Sequence, residues 1–381
     1  MEKVVVGMSG GVDSSVAAYL LKKQGYDVIG VTMQIWQDED VYEVSENGGC
    51  CGLTAVEDAR RVASALSIPY YVMNFKQEFK DQVIDYFVSE YLEAKTPNPC
   101  IACNRFVKWE ALLKRSLDIG AFYIATGHYA GIIKLSNGRY TVKKSVTKAK
   151  DQTYALYNLT QFQLEHTLMP VGAYTKEEIR AIAYELNLPV ADKPDSQEIC
   201  FIRDNDYSRF IVDYLKVEEN RKIMDSRKII KETGGVETSG LTPGNFVTSS
   251  GKVLGRHKGL ANYTVGQRKG LNLAMGQPVF VLELRRKTNE VVIGNAEDVY
   301  SDRLYANRLN FMAAEDLEGE MEVEAKIRYG HKGAPCTIKK TAEDEVLCIF
   351  SEPQRAITPG QAVVFYKDDY VFGGGTIVRK A

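Results

Sequence analysis

The stretch SGGVDSS, Ser9 to Ser15, decides the fold of the first part of the chain. It follows a short apolar run, KVVVGM (3–8), and precedes residues 12–23, in which apolar side chains recur with the period of a helix. A strand, a glycine turn and a helix in this order direct backbone N–H groups and the positive helix end towards one point. This arrangement favours an anion such as phosphate over the alternative, a tight turn with a serine cap.

The loop differs from two common phosphate-binding motifs, because it has neither the G-K-[ST] ending of the Walker loop nor the G-x-G-x-x-G pattern. SGGVDSS resembles the SGGxDS loop of the PP-loop ATP pyrophosphatases. In that superfamily the loop cradles the phosphates while ATP is split between its α and β positions. The resemblance implies adenylation without choosing the substrate, since amide ligases, argininosuccinate synthetase and tRNA-modifying enzymes share the loop.

Apolar strands and helices alternate through the first 205 residues. Continuous apolar strands separated by helices are typical of a parallel sheet that is covered on both faces. The sequence therefore predicts an α/β, doubly wound PP-loop domain over residues 1–205. The predicted strands after the first are 26–36, 69–75 and 121–129, and the predicted helices are 54–67, 78–94, 106–120 and 174–189, the last with a Thr175–Glu178 capping box.

The pattern changes after residue 205. A mixed segment leads into a glycine-rich stretch (251–272), and strands with turns follow from residue 276. Residues 321–328 alternate apolar and charged side chains, which is the period of a strand with one dry face. The sequence therefore predicts a small mixed central domain that contacts tRNA, residues 206–275, and a C-terminal antiparallel β-barrel, residues 276–381.

Composition narrows the class of protein. The chain has 381 residues, 45% of them hydrophobic and 26% charged, which is normal for a globular protein of two or three domains. No apolar run approaches the roughly 20 residues that a membrane helix needs, and no signal peptide precedes the first strand. We therefore expect a cytoplasmic protein without membrane contact.

With a net charge of −2, a nucleic-acid partner would have to meet local basic stretches such as 142–152 and 267–270.

Three of the seven cysteines lie in notable surroundings. TPNPCIACN (96–104) contains Cys100 and Cys103, and KPDSQEICFI (193–202) contains Cys200. The two prolines predict a rigid turn before a helix, which places Cys103 near a helix N-terminus where the dipole favours the thiolate.

The other cysteines carry less information. Cys336 and Cys348 lie within strand patterns and are expected to be buried structural residues, whereas Cys50 and Cys51 stay undecided between a plain loop and a chemical role.

A C-x-x-C pair also occurs in zinc sites and in thioredoxin-like proteins. None of the four histidines lies at a zinc-ligand spacing from another, so no residue is assigned to a metal ion. A thioredoxin-like role would leave the ATP loop unexplained. Adenylation and reactive thiols fit one chemistry, because adenylation turns a carbonyl oxygen into a leaving group that a sulfur nucleophile can then replace.

The whole chain resembles the tRNA-specific 2-thiouridylases. The resemblance implies ATP-dependent formation of 2-thiouridine at the wobble position (U34) of tRNAs for Lys, Glu and Gln, with Mg2+ as cofactor and AMP and pyrophosphate as products. A persulfide donor, such as a cysteine desulfurase or a sulfur relay protein, is implied as a partner. The motifs that carry the resemblance are SGGVDSS, ATGHYA (125–130), KDQTY (150–154), DSQEICFI (195–202), YTVGQRKGL (263–271), RYG (328–330) and TPGQAVVFY (358–366).

The same resemblance implies roles for individual residues. Cys200 corresponds to the cysteine that carries the persulfide, and Cys103 to the catalytic partner that releases the sulfur, through a transient Cys103–Cys200 disulfide. The residues implied to bind ATP are Gly7, Met8, Ser9, Gly10, Gly11, Val12, Asp13, Ser14, Met33 and Gly127. The residues implied to contact tRNA are Asn98, Pro99, Cys100, His128, Lys150, Asp151, Gln152, Arg328, Tyr329 and Gln361.

One position departs from the family pattern, since many members have aspartate where this chain has Cys100. Together Cys100, Cys103 and Cys200 could hold a [4Fe–4S] cluster with one iron open to sulfide. We prefer the persulfide, because two cysteines suffice for it. Two rivals of the thiouridylase hypothesis remain: a PP-loop amide or amidino ligase that acts on a small metabolite, and a non-catalytic RNA-binding or sulfur-carrier protein.

Overall fold

A computed structural model describes residues 1–35, 53–195, 199–202, 206–220 and 240–380. Within these ranges, no helix is long and apolar enough to cross a membrane. The strands are β1 (Lys3–Gly7), β2 (Asp27–Gln34), β3 (Tyr70–Asn74), β4 (Tyr123–Ala125), β5 (Ala130–Lys134), β6 (Tyr140–Lys144), β7 (Thr167–Leu168), β8 (Gly244–Val247), β9 (Val253–His257), β10 (Phe280–Arg285), β11 (Glu290–Gly294), β12 (Tyr300–Phe311), β13 (Glu320–Lys326), β14 (Ala334–Ala342), β15 (Glu345–Arg355), β16 (Ala362–Lys367) and β17 (Tyr370–Lys380).

Most helices lie in the first half of the chain. A π-helical stretch, Lys80–Ile84, continues α3 into α4, and a second one, Cys103–Leu112, continues α5 into α6. The helices are α1 (Val12–Lys23), α2 (Leu53–Ala65), α3 (Lys76–Phe79), α4 (Asp85–Leu92), α5 (Pro99–Ala102), α6 (Leu113–Asp118), α7 (Gln161–Glu165), α8 (Lys176–Glu185) and α9 (Tyr207–Asn220).

The first sheet is parallel, with the strand order β3-β2-β1-β4-β7. Side chains of β1 alternate between two hydrophobic clusters: Val5 joins one, whereas Val4 and Val6 join the other. Helices α1 and α8 cover the second cluster through residues such as Val16 and Ile179. The sheet is therefore buried on both faces, and the prediction of a doubly wound α/β domain is confirmed.

The second sheet has the order β10-β11-β8-β9. The expected boundary at residue 275 lies before β10 and β11, yet β11 pairs in parallel with β8 through the register Glu290↔Asn245 to Val292↔Val247. This hydrogen bonding joins residues 280–294 to the central domain. We therefore propose that the central domain ends between β11 and β12, because strands paired in one sheet bury one core together.

The C-terminal strands form a closed antiparallel barrel in the order β12-β15-β14-β13-β16-β17, which the β12–β17 pairing closes. The predicted C-terminal barrel is thus confirmed. The hairpin β5–β6 belongs to the first part of the chain but extends this sheet, since Lys143 of β6 pairs with Tyr370 of β17. Thr141 of the hairpin also donates to the carbonyl of Val371 at 2.5 Å, which ties the first domain to the barrel.

Two histidines outside the parallel sheet are held as neutral rings. In His257, Nδ1 accepts from the Gly259 N–H at 3.0 Å, so Nε2 carries the proton that it donates to the Asn289 carbonyl at 3.1 Å. His331 has the same pattern, with a donor at Nδ1 from the Gly333 N–H at 3.3 Å. Burial lowers the pKa of both rings, because a second proton would face a donor and lose its hydration.

We predict that acid destabilises the protein through these rings. The pKa of His257 is lowered in the folded state and returns to its ordinary value of 6.5 on unfolding, so the unfolded chain binds more protons below that pH. The stabilising contribution is complete above 6.5 and falls as the pH drops below it. Urea unfolding at about pH 7.5 and about pH 5.5 measures the loss. The loss should be smaller in His257→Gln, and an equal loss in that variant would contradict the assignment.

Candidate active site at the carboxyl end of the parallel sheet

The glycine loop between β1 and α1 has a conformation that requires glycine. Gly10 has φ +66°, and a Cβ there would lie 2.3 Å from the carbonyl oxygen of Ala55. The Ser14 hydroxyl accepts from the Ser9 N–H and donates to the carbonyl of Gly11, both at 3.2 Å, and so braces the loop. Gly11 provides no side-chain cap for α1, which leaves the first-turn N–H groups suited to an anion.

Gly127 lies directly against this loop. A Cβ at Gly127 would be 2.5 Å from the backbone nitrogen of Ser14, so the turn after β4 can approach α1 only without a side chain. Met8 donates its N–H to the carbonyl of Val31 on β2 at 2.8 Å, and Met33 lies two residues further along that strand. The structure therefore brings together the residues predicted to bind ATP, from Gly7 to Ser14 with Met33 and Gly127.

Asp13, in the first turn of α1, has two partners that the sequence did not reveal. Its Oδ1 accepts from the Tyr129 hydroxyl at 2.8 Å and from the Lys176 ammonium at 2.7 Å. The side chain of Lys176 is only 9% exposed, and it also pairs with Asp195 at 2.7 Å. Asp13 is therefore bound to a buried cation at the first helical turn of α8.

Asp195 binds two further cations. Its carboxylate pairs with Lys150 at 2.7 Å and with Arg180 at 3.3 Å. Burial alone would raise its pKa, but the hydrogen bonds from Lys150 and Lys176 outweigh burial and lower the pKa of Asp195 to about 2. Sequence reasoning missed Lys176 and Asp195, because a lysine at a helix start and an aspartate in a loop are ordinary surface residues by pattern.

A second lysine reaches the glycine loop from the same segment. The ammonium of Lys193 donates to the carbonyl of Gly10 at 3.0 Å and pairs with Asp58 of α2 at 2.8 Å. The segment before Cys200 thus contacts the glycine loop itself. No sequence motif indicated this contact.

The helix that carries Cys100 and Cys103 begins earlier than predicted. Asn98 is the N-cap and accepts from the Cys100 N–H at 3.0 Å, while Pro99 occupies the first helical position. Cys100 therefore lies in the first turn, and Cys103 follows one turn later, where the helix becomes π-helical. The predicted helix 106–120, with Cys103 near its N-terminus, starts too late, because the Asn-Pro pair itself caps and begins the helix.

Both predicted catalytic thiols border the same hydrophobic cluster. Cys103 and Cys200 are partly buried against the cluster that contains Val5 of β1, the strand leading into the glycine loop. The adjacent Phe201 is 5% exposed, and its ring packs 5.3 Å from that of Phe87 in α4. Cys103 and Cys200 therefore pack against the same apolar cluster as the strand that leads into the glycine loop.

Three domains meet at Thr96, next to the loop that leads to Cys100. The Thr96 N–H donates to the carbonyl of Pro359 at 2.9 Å, and Gln361 Nε2 donates to the carbonyl of Thr96 at 2.8 Å. The hydroxyl of Thr96 lies 3.3 Å from that of Thr264 in the central domain. Gln361, predicted to contact tRNA, thus holds the loop of Asn98 and Pro99 in place.

Tyr329 of the barrel faces the Cys100 region. Its ring is 49% exposed and lies 6.3 Å, edge-on, from Tyr154. Its pKa is raised, first by burial and then by the nearby Asp151 and Cys100, with Lys150 opposing. Lys150, Asp151 and Cys100 thus all act electrostatically on Tyr329, which is far from them in the sequence.

Arg328, beside Tyr329, donates to the carbonyl of Arg355 at 2.9 Å. Burial and the repulsion of the Arg355 guanidinium lower the pKa of Arg328. Because these two guanidinium groups repel each other, an anionic ligand beside them would be bound favourably.

Three other residues that were predicted to contact tRNA interact with groups of the protein itself. Asp151 Oδ2 accepts from the Ser145 N–H at 2.9 Å, and Gln152 Oε1 accepts from the Tyr129 N–H at 2.8 Å. His128 lies beside Trp109, with ring centroids 5.5 Å apart. Burial, with Lys108 close by, lowers the pKa of His128, so this ring is neutral at pH 7. Contact of these side chains with tRNA stays a prediction.

The remaining cysteine predictions have different outcomes. Cys336 and Cys348 are buried in β14 and β15, as expected. Cys50 and Cys51 lie outside the described residues. Across the part of the chain that the structure describes, no three His, Cys, Asp or Glu residues form a group that could hold a metal ion. Cys100, Cys103 and Cys200 are thus not gathered into such a group in this structure.

Three family models cover almost the whole chain. They are described as a tRNA methyl transferase HUP domain (residues 2–204), a tRNA methyl transferase PRC-barrel domain (236–295) and an aminomethyltransferase β-barrel domain (301–377). The tRNA-specific 2-thiouridylase of Lachnoclostridium phytofermentans is 65% identical over 379 residues, covering 100% of both chains. The chain belongs to the tRNA-specific 2-thiouridylase family. The resemblance that the sequence motifs suggested is confirmed.

Other 2-thiouridylases are similar over the same length. Those of Clostridium kluyveri and Clostridioides difficile are 56% and 54% identical, each over 99% of this chain and at least 98% of their own. A crystal structure of a 4-thiouridine synthetase–RNA complex with bound ATP is 21% identical, covers 52% of this chain and 45% of its own, and has a TM-score of 0.31. This structural likeness is too low to support an argument.

We predict that Gly127→Ala weakens ATP binding by about tenfold or more, because the new methyl group would push the turn away from Ser14. Isothermal titration with a non-hydrolysable ATP analogue measures the change. Gly131→Ala is the matched control, since its Cβ would meet nothing nearer than the Lys143 Cβ at 3.7 Å. Equal affinity in Gly127→Ala and the wild type would remove this turn from the nucleotide site.

Proposed function

We propose that this 2-thiouridylase converts the wobble uridine (U34) of tRNA to 2-thiouridine with ATP, and releases AMP and pyrophosphate. The observation that carries the proposal is the joint placement of a glycine loop suited to phosphate and of two partly buried thiols on the same parallel-sheet domain. The full-length similarity to tRNA-specific 2-thiouridylases supports the same reaction. The protein is thus a tRNA-uridine 2-sulfurtransferase.

In the first step, the N–H groups of the glycine loop and the start of α1 bind the phosphates of ATP. The O2 atom of the uridine attacks the α-phosphorus, and pyrophosphate leaves. Mg2+ would neutralise charge on the phosphates. Its ligands would come mainly from phosphate oxygens and water, because Asp13 Oδ1 already binds Tyr129 and Lys176 and the described residues contain no three-member acidic group.

In the second step, sulfur carried as a persulfide on Cys200 attacks C2 of the activated uridine, and AMP leaves with the former O2 atom. The Cys103 thiolate then attacks the Sγ of Cys200. The bond between Cys200 and the transferred sulfur breaks, which releases 2-thiouridine and leaves a Cys103–Cys200 disulfide. A reducing dithiol must open that disulfide, and a persulfide donor such as a cysteine desulfurase or sulfur relay protein must reload Cys200.

The tRNA side of the site is built by the loop at Cys100 and by the barrel. Uridine O2 is inaccessible in a stacked anticodon, so the base has to leave the stack and find an aromatic or polar pocket. Tyr329 is half-exposed beside Cys100, and Arg328 and Lys150 provide positive charge next to it. We assign the anticodons of tRNAs for Lys, Glu and Gln as the substrates, and the cytoplasm as the compartment of the reaction.

The central domain adds a second basic surface. Gln267 braces the turn at residues 264–270 by accepting from the Thr264 N–H and donating to the carbonyl of Lys269, both at 3.0 Å. Arg268 and Lys269 project from this turn as exposed residues. We assign them to the tRNA backbone, because cations on a fixed loop can bind phosphates.

An amide ligase would use the same glycine loop but has no need for the thiols or for the docked barrel. The three relatives named above match this chain from end to end and are named 2-thiouridylases, so this alternative is not favoured. A non-catalytic carrier would bind ATP without producing AMP.

We predict that Cys200→Ser abolishes thiolation and leaves tRNA affinity unchanged, because the persulfide loses its carrier atom while the tRNA surface is intact. Purified protein is incubated with ATP, a persulfide source and unmodified tRNA, and the digested tRNA is assayed for 2-thiouridine by mass spectrometry. Cys100→Asp is the control that separates persulfide from cluster chemistry. It should retain thiolation, whereas complete loss in Cys100→Asp would favour three cysteine ligands.

We further predict that Arg328→Gln weakens tRNA binding and lowers the slope of log Kd against log salt by about 1, as expected for the loss of one phosphate contact. Filter binding at several salt concentrations provides both values. Lys339→Gln removes a cation of β14 that pairs with Glu320 and should leave the slope unchanged. An unchanged slope in Arg328→Gln would exclude a phosphate contact.

A further inference from the structure

Asp195 lies between the glycine loop and the surface assigned to tRNA. Its Oδ1 pairs with Lys176 at 2.7 Å and with Arg180 at 3.3 Å, and its Oδ2 pairs with Lys150 at 2.7 Å. Lys176 also binds Asp13 of the loop. A continuous chain of charged side chains therefore runs from the nucleotide loop through Asp195 to Lys150.

The same aspartate stands five residues before Cys200. The segment 193–195 is held at two points, since Lys193 donates to the carbonyl of Gly10 and Asp195 binds three cations. On the other side of Cys200, Phe201 packs into the aromatic cluster with Phe87. In the sequence, Cys200 thus lies between two fixed points: residues 193–195, which we call the ionic anchor, and Phe201, which is held by apolar packing. The ionic anchor also contacts the glycine loop.

The ionic anchor depends on the charge of Asp195. The carboxylate is 24% exposed and Lys176 is 9% exposed, so these ion pairs are partly shielded from water and stronger than surface pairs. An asparagine has the same shape but accepts from cations more weakly. Substituting asparagine would therefore release the segment without opening a cavity.

We propose that Asp195 is a positioning residue for sulfur transfer: by binding Lys176, Arg180 and Lys150 it anchors residues 193–195 beside the glycine loop and so limits where Cys200, five residues later, can lie. This role rests on the proposed function. Asp195 contacts none of the reacting atoms; it acts through the placement of Cys200. When the segment is not held, activated uridine forms but water replaces the sulfur nucleophile, so ATP is consumed and uridine is regenerated with release of AMP.

The first experiment compares pyrophosphate release with 2-thiouridine formation in Asp195→Asn. The ratio of pyrophosphate to 2-thiouridine should rise by about tenfold or more over the wild type, as expected from the weakening of charge-assisted hydrogen bonds. The KM for ATP should change less than this ratio, because Lys176 keeps Asp13 as a partner. Asp192→Asn is the matched control, since Asp192 lies on the same segment and accepts from Tyr184 at the surface, and its ratio should not change.

The second experiment does not depend on turnover. The rate at which iodoacetamide labels Cys200, relative to exposed Cys100, is followed by peptide mass spectrometry in the ligand-free protein. It should rise by about fivefold or more in Asp195→Asn, rise less in Lys150→Gln, which removes one of the three cations, and stay constant in Asp192→Asn. The Lys150 side chain is 40% exposed, so Lys150→Gln should fold normally. It therefore still tests the proposal if Asp195→Asn folds poorly.

The outcomes separate the two proposals. A wild-type protein that forms no 2-thiouridine with a persulfide source would overturn the proposed function, and the labelling rates would still decide the role of Asp195. If the wild type thiolates tRNA, and Asp195→Asn shows an unchanged product ratio and unchanged labelling of Cys200, the positioning role is wrong. A parallel loss of pyrophosphate and 2-thiouridine would also overturn it, because that result describes general damage to the site.

Discussion

The side chain of Lys176 is only 9% exposed, and the active-site end of the first domain depends on how its charge is compensated. A buried cation without carboxylate partners costs several kcal/mol, so Asp13 and Asp195 have to stay within hydrogen-bonding distance. Asp13 belongs to α1, Lys176 to α8, and Asp195 to the segment that leads to Cys200. One compensated charge therefore ties the nucleotide loop, α8 and Asp195 to one another.

The barrel and the central domain complete a site that the parallel sheet alone would leave open. The loop of Thr96 accepts and donates hydrogen bonds to residues of the barrel and lies against Thr264 of the central domain. The β5–β6 hairpin joins the barrel sheet, and Arg139 at its turn donates to the carbonyl of Met312. The three domains are thus coupled around Cys100, and a base that enters between them would meet groups from at least two domains.

Local patterns predicted most elements of the first domain, since helix periodicity, the Thr175–Glu178 capping box and the strand–loop–helix order depend on neighbouring residues. The errors lie where distant contacts override local preference. The strand predicted for 121–129 ends at Ala125, because the following turn passes against α1 at Gly127. The boundary expected at residue 275 stays a prediction, and β11, which follows it, pairs with β8 of the central domain. Strand pairing over such separations has no signal in a single sequence.

The sequence by itself determined the chemistry-bearing parts: the phosphate loop, the two catalytic cysteine candidates and the doubly wound sheet. These depend on residue types in short, ordered stretches, and the order of the motifs identified the family. The tertiary structure alone decided which charges meet, because Lys176 and Asp13 are 163 positions apart and Gln361 and Thr96 are 265 apart. Hydrogen bonds and ion pairs act over a few ångströms, so such pairs form only after packing brings their elements together. For this reason the residues around each partner do not predict the pair.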